Sequence, residues 1–306
     1  MEKKAYKLTP AVKDIVWGGR RLIDLGKSTE ADRIAESWEL SFTKGGEATV
    51  SGIPLTVFFP RESWGKACEG FPEFPVLTKF IDARDKLSVQ VHPSDEYALA
   101  NEGQYGKTEM WYVVSADEGA GLYMGTVREL GEDEFRAAIA DGTVEELLNF
   151  RPVRAGDVFF IPAGTIHAIG AGVLIYEIQQ NSTLTYRLYD YMRPDASGKL
   201  RPLHVEQAMK VAHLSPYATY ERDPERPRVI GECEYFRTSN YKLNFTSMSL
   251  FADERSFIAV TSVGGSGTLN GEKFNTADTF FIPAGAGEVN ITADGELDLI
   301  VVDMPE

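Results

Sequence analysis

The 306-residue chain has little of what most metal and redox proteins rely on: two cysteines and four histidines. Cys68 and Cys233 are far apart, without metal-binding or redox spacing, and read as idle or buried thiols of a reducing compartment. Cations are scarce too, with 31 Lys and Arg against 46 Asp and Glu and a net charge of −15. That balance excludes the basic face a nucleic-acid binder needs and weighs against an anionic membrane. It leaves room for a small anionic ligand, because two or three local cations decide that field. No run approaches the roughly 18 apolar residues of a bilayer span. The opening MEKKAYKLTPAVKD lacks the apolar stretch of a signal peptide, so a cytoplasmic protein is expected. A Gly-rich phosphate loop ending in Lys-Ser/Thr is also missing. What is present is apolar material, 43% hydrophobic and 11% aromatic. That rules out disorder and supplies one large domain or two moderate ones.

Short β-branched and aromatic runs dominate: 86–92, 110–115, 157–162, 172–178 and 183–189 are expected as strands, with Gly-rich turns between several of them. A helical interlude is expected near 131–150, with a capping box at Thr143-Val-Glu-Glu146, and a second helix over about 204–213. Residues 221–229, charged and Pro-rich, read as a linker. One repeat is conspicuous. Gly156-Asp-Val-Phe-Phe-Ile-Pro-Ala-Gly164 recurs 121 residues later (277 − 156) as Ala277-Asp-Thr-Phe-Phe-Ile-Pro-Ala-Gly285. Two related β-barrels or sandwiches follow, one extending to His167 and the other to Glu288 at the matching place.

In 86–92 alternation puts Leu87, Val89 and Val91 on one face and Ser88, Gln90 and His92 on the other. The polar face either meets solvent or lines a cavity, where residues two apart, about 6.5–7 Å along the strand, can share an ion. Lys107, Glu109 and Trp111 share a face of the next strand. Glu109, entering an apolar run, needs either an ion pair with Lys107 or a metal. His167 taken singly reads as structural. His204 and His213, on the expected helix, read as packing or surface residues, and Trp17 and Trp111 as core.

The longer pattern resembles a known one. Gly156, Pro162, Gly164 and His167 have the spacing of the second cupin motif, although Gln90 stands where the first motif usually has His and Ala171 where Asn is common. Gln90-Val-His92-Pro93, Lys107-Thr-Glu109-Met-Trp-Tyr112, Ile161-Pro-Ala-Gly-Thr-Ile-His167, Glu177-Ile-Gln-Gln-Asn-Ser182 and Tyr186-Arg187 together resemble the type I mannose-6-phosphate isomerases, short bacterial form. Val16-Trp-Gly-Gly19 and Glu36-Ser-Trp-Glu39 are similar to that family's N-terminal features. Thr108 departs from larger members, which have Pro there.

The resemblance implies a mainly β fold of two cupin-type, jelly-roll-like antiparallel β-barrels with a small helical insertion. Residues 1–220 would form the metal-binding barrel, with its insertion near 128–150, and 221–306 a smaller barrel without metal. It implies a sugar-phosphate aldose–ketose isomerase with Zn²⁺ on Gln90, His92, Glu109 and His167; the donor types also tolerate Mn²⁺, Fe²⁺ or Co²⁺. Lys107 or Glu177 is the expected base, and Arg187 stabilises the enediolate or contacts phosphate. Ser88, Lys79 and Arg193 are further phosphate candidates. The alternatives are an Fe²⁺ cupin dioxygenase and a non-catalytic sugar-binding cupin. Oligomeric state has no signal in the sequence.

Overall fold

The computed structural model describes residues 2–194 and 198–306. Its first half is a sandwich of two antiparallel sheets. One sheet has five strands in the order Leu148–Pro152, Gly121–Thr126, His167–Ile169, Val89–Val91 and Tyr186–Tyr189. The other has six, in the order Val158–Ile161, Glu109–Ala116, Val173–Gln180, Val76–Ala83, Glu36–Leu40 and Ala11–Lys13. The last half is one eight-stranded antiparallel sheet centred on the long strands Ile258–Leu269 and Gly287–Asp303. The mainly β, cupin-like fold is as expected. We propose residue 220 as the division, and one element crosses it: strand Tyr6–Lys7 pairs with Thr279–Ile282 of the distal sheet.

Apolar layers explain the stacking. The six-stranded sheet turns Val76, Phe80, Met110, Tyr176 and Ile178 outward onto Phe257, Phe281, Ile300 and Val302 of the distal sheet. The five-stranded sheet turns Val89, Val91, Ala168 and Leu188 outward onto Phe135, Ile139 and Ala208, from helices Glu132–Asp141 and Val205–Met209. Both sheets are therefore covered outside, and their inner faces enclose the cup. Its apolar part holds Trp17, Ile81, Trp111, Val113, Leu122 and Ile169.

Local expectations needed correction in four places. Thr143 makes no side-chain cap, and Val144–Leu147 is a single 3-10 turn that gives way to the strand Leu148–Pro152. The helix near 204 ends at Met209, which leaves His213 exposed outside it. Leu87 lies in the cup while Val89 and Val91 lie outside, because the strand starts only at Val89. Glu288 is the fourth. Both copies of the repeat build the same turn: Asp157 Oδ2 accepts from Arg154 N at 2.9 Å, and Asp278 Oδ2 accepts from Asn275 N at 2.8 Å. The backbone N–H of Gly156 donates to Val113 and that of Ala277 to Ser262, each at 2.8 Å, with φ of 89° and 72°. Past the second turn the copies part. Ile166 keeps an ordinary backbone, whereas its counterpart Gly287 has φ 77°. A one-residue change of phase exchanges the two faces of a strand. His167 thus enters the cup, whereas Glu288 is exposed and Val289 is the residue facing the distal interior.

Candidate metal centre and active site

The strand geometry brings four distant segments to one point. His167 is in register with Gln90 on one side and Met124 on the other. Glu109, on the facing sheet, is in register with Ile161 and Gln179. Donor atoms of His92, Glu109 and His167 all lie within 4.8 Å of one another, and all three residues are fully buried. The Gln90 amide lies 3.3 Å from His167 Nε2, and either end of an amide can face that point.

Each imidazole is set up as a neutral ligand. His92 Nδ1 lies 2.8 Å from the Leu184 carbonyl and His167 Nδ1 2.9 Å from the Thr165 carbonyl. A carbonyl only accepts, so each Nδ1 carries the proton and each Nε2 keeps its lone pair toward Glu109. Burial pushes His167 down to about 4 and His92 well below the ordinary imidazole range, the latter assisted by Lys107.

The charges call for a cation. Among the described residues, Glu36, Glu109 and Glu177 pair only with Lys79 and Lys107, an excess of one negative charge. Lys107 Nζ stands 2.5 Å from Glu109 Oε2, yet neither Glu109 oxygen receives a directed hydrogen bond. A buried carboxylate held by one ammonium alone is costly, and a bound cation relieves it. Burial and then Glu177 hold the Glu109 carboxyl above its ordinary range, the state that a cation would reverse. The residues present fit a divalent metal.

Around that point, Lys107 Nζ is 3.2 Å from Glu177 Oε1 and 3.4 Å from His92 Nε2. Glu177 also accepts from Trp111 Nε1 at 2.9 Å and pairs with Lys79 at 3.2 Å. Burial alone would raise Glu177, but Lys107 and Lys79 outweigh it and hold it below the usual carboxylate range. Lys79 meets the same burial penalty and is nonetheless held above its ordinary value by Glu177, Glu36 and Glu109. Trp38, opposite Lys79, completes this wall and bonds Glu36 at 2.7 Å. Glu36 and Trp38 had carried no assigned role; their only sequence signal was the Glu36-Ser-Trp-Glu39 run.

Arg187 is in register with Gln90 on the edge strand Tyr186–Tyr189. Ser88 is buried and lies 3.4 Å from the Gln90 amide oxygen. Arg193 bonds the Lys86 carbonyl at 2.8 Å and Asp190 at 3.0 Å, and its Nε is buried without a partner. A separate hollow of about 680 Å³, lined by Phe42, Trp64, Phe74, Tyr105 and Asn181, contains none of these residues. Donor chemistry, not volume, marks the site.

No model of a protein family matches the chain. Individual proteins do. It is 35% identical over 309 residues to the mannose-6-phosphate isomerase ManA of Bacillus subtilis, covering 94% of this chain and 95% of that protein. The crystal structure of the mannose 6-phosphate isomerase from Bacillus subtilis superposes with a TM-score of 0.86 at 32% identity, covering 97% and 99%. A mannose 6-phosphate isomerase bound with zinc and yttrium shares the fold, with a TM-score of 0.71 at 17% identity and coverage of 97% and 98%. Likeness to ManA at this level, over almost all of both proteins, decides the kinship: the chain belongs to the mannose-6-phosphate isomerase family.

Proposed function

We propose that the chain interconverts mannose 6-phosphate and fructose 6-phosphate by moving a proton between C2 and C1 through an enediol. The observation that carries this reading is Glu109, a buried carboxylate with neither oxygen hydrogen-bonded, facing two neutral imidazoles and an amide beside two lysines. A divalent ion on Gln90, His92, Glu109 and His167 would polarise the sugar carbonyl and stabilise negative charge developing on O1 and O2. Two imidazoles, a carboxylate and an amide suit Zn²⁺ and tolerate Mn²⁺, Fe²⁺ or Co²⁺, and the zinc-bound fold relative supports the first.

The chain's own residues divide the remaining work. Lys107 Nζ, against both the ligand set and Glu177, carries the proton from C2 to C1. Glu177, with three donors on its carboxylate and its pKa held low, is a poor base; it orients Lys107 instead. Arg187 offers its guanidinium to the oxygen-borne charge beside Gln90. Ser88 and Arg193 remain the phosphate candidates, Arg193 with a free Nε. Lys79, fixed between Glu36 and Glu177, serves the phosphate less well.

Among the described residues, no helix is long and apolar enough to cross a membrane. A cytoplasmic location is part of this reading and rests on the two unpaired cysteines. The test is a coupled assay of the zinc-loaded chain with each sugar phosphate. Isomerisation in both directions is expected, and absence of turnover with either sugar would refute the proposal.

A further inference from the structure

Arg187 is gripped from outside the cup by a segment that the reaction does not otherwise use. Its backbone N–H donates to His204 Nδ1 at 3.2 Å, and the His204 N–H donates to the Arg187 carbonyl at 2.7 Å. Arg187 Nη1 donates to the Pro202 carbonyl at 2.9 Å. Arg201, one residue earlier, forms a two-pronged pair with the buried Asp190 at 2.6 and 2.7 Å. With both backbone groups turned to His204, Arg187 occupies a non-hydrogen-bonded site opposite Gln90, the pair type that brings side chains closest. One nitrogen of the guanidinium is thereby fixed, while Nε is buried without a partner among the described residues. A buried donor left free beside a ligand set is a donor held for something else.

We propose that His204 is a positioning residue: with Pro202, and anchored by the Arg201–Asp190 pair, it sets the guanidinium of Arg187 for the substrate. His204 closes the free edge of the five-stranded sheet at the one position where that edge carries a reacting group. Its side chain acts as an acceptor, and so an asparagine oxygen can replace it where leucine cannot. The inference rests on the proposed isomerase reading for its kinetic arm only.

The test uses the whole chain, zinc-loaded, with two readouts. Backbone hydrogen exchange of the peptide spanning Tyr186–Tyr189 reads the clamp without any turnover. Faster exchange is expected in His204→Leu and near-native protection in His204→Asn. In the isomerase assay, His204→Leu is expected to lose about 10- to 100-fold in kcat/KM, the scale of a misplaced catalytic group. His204→Asn should stay within about threefold of the parent, and Arg201→Gln is a second, milder way to loosen the clamp. In an Arg187→Lys background both losses should vanish, because a clamp with nothing to position has no effect. Unchanged exchange in His204→Leu overturns the clamp whether or not the chain turns over sugar. Equal losses in His204→Leu and His204→Asn, or losses that multiply with Arg187→Lys, overturn the positioning role. An inactive parent with the predicted exchange pattern would count against the isomerase reading and leave the clamp standing.

Discussion

The two copies of the Asp-x-Phe-Phe-Ile-Pro-Ala-Gly hairpin build the same turn, with matching hydrogen bonds and matching left-handed positions, and yet only one can carry chemistry. The shared residues are those that make the turn. Asp157 and Asp278 cap it, and Gly164 and Gly285 take φ of 87° and 74°, in the left-handed region that favours glycine. The difference lies one turn further on. After Gly287 the distal strand runs out of phase, so Val289 and Ile291 fill an interior of Leu, Ile, Val, Phe and Ala. In the first copy the phase holds, and His167 joins an interior that is apolar on one side and densely charged on the other. The lesson is that the turn is common to both copies, and the strand after it buries His167 in one and leaves Glu288 exposed in the other.

That contrast can be tested by changing residues in each region, beginning with the largest effect. Lys107→Ala and Arg187→Ala should each lower kcat by about 10²–10⁴-fold in the coupled assay, the usual worth of a proton carrier or an oxyanion partner. Lys242→Ala, a lysine of the distal sheet paired with Asp298, should leave kcat unchanged. Glu177→Gln replaces the carboxylate that accepts from Lys107, Lys79 and Trp111 and should cost about 1–3 kcal/mol in urea unfolding, because the buried donors lose a charged acceptor while Glu36 and Glu109 still balance the two lysines. Full stability in that variant would show that the lysines do not need Glu177.

A pH series sharpens the same point in chelated protein. His167 is held at about 4 when folded, below its unfolded value, so the unfolded chain binds more protons as pH falls. Its contribution is therefore complete above about pH 6.5 and declines as pH drops toward 4, by up to about 3 kcal/mol. His92 adds in the same direction. His167→Leu should flatten that slope between pH 6.5 and 4, and an unchanged slope would place the acid sensitivity elsewhere. The smallest effect concerns the turns. A methyl on Gly164 would meet the His213 ring, whereas one on Gly285 meets only the flexible ends of Glu254 and Lys3. Gly164→Ala should cost about 2–3 kcal/mol and Gly285→Ala about 1, read from denaturant midpoints.

How much was legible in advance follows the same division. Alternation puts Gln90 and His92 on one face of their strand, and the resemblance implies the set Gln90, His92, Glu109 and His167, whose donor atoms lie close together in the structure. Features made by long-range pairing left no local trace: Tyr6–Lys7 completing the distal sheet, Lys79 enclosed by Glu36 and Glu177, and the edge of Arg187 closed by His204. His204 reads from sequence as a packing or surface residue because its partner is backbone, which has no sequence signature. The reversal at Glu288 was hidden because it turns on the backbone angle of a single glycine, Gly287, and not on any residue of the matched motif.

The most direct measurement is metal content per chain, by mass spectrometry of purified protein, for the parent, His167→Ala, Glu288→Ala and Glu288→His. One divalent ion is predicted in the parent and in both Glu288 variants, with none in His167→Ala. A second ion in Glu288→His, or an ion retained by His167→Ala, would contradict the division between a metal-bearing barrel and a structural one.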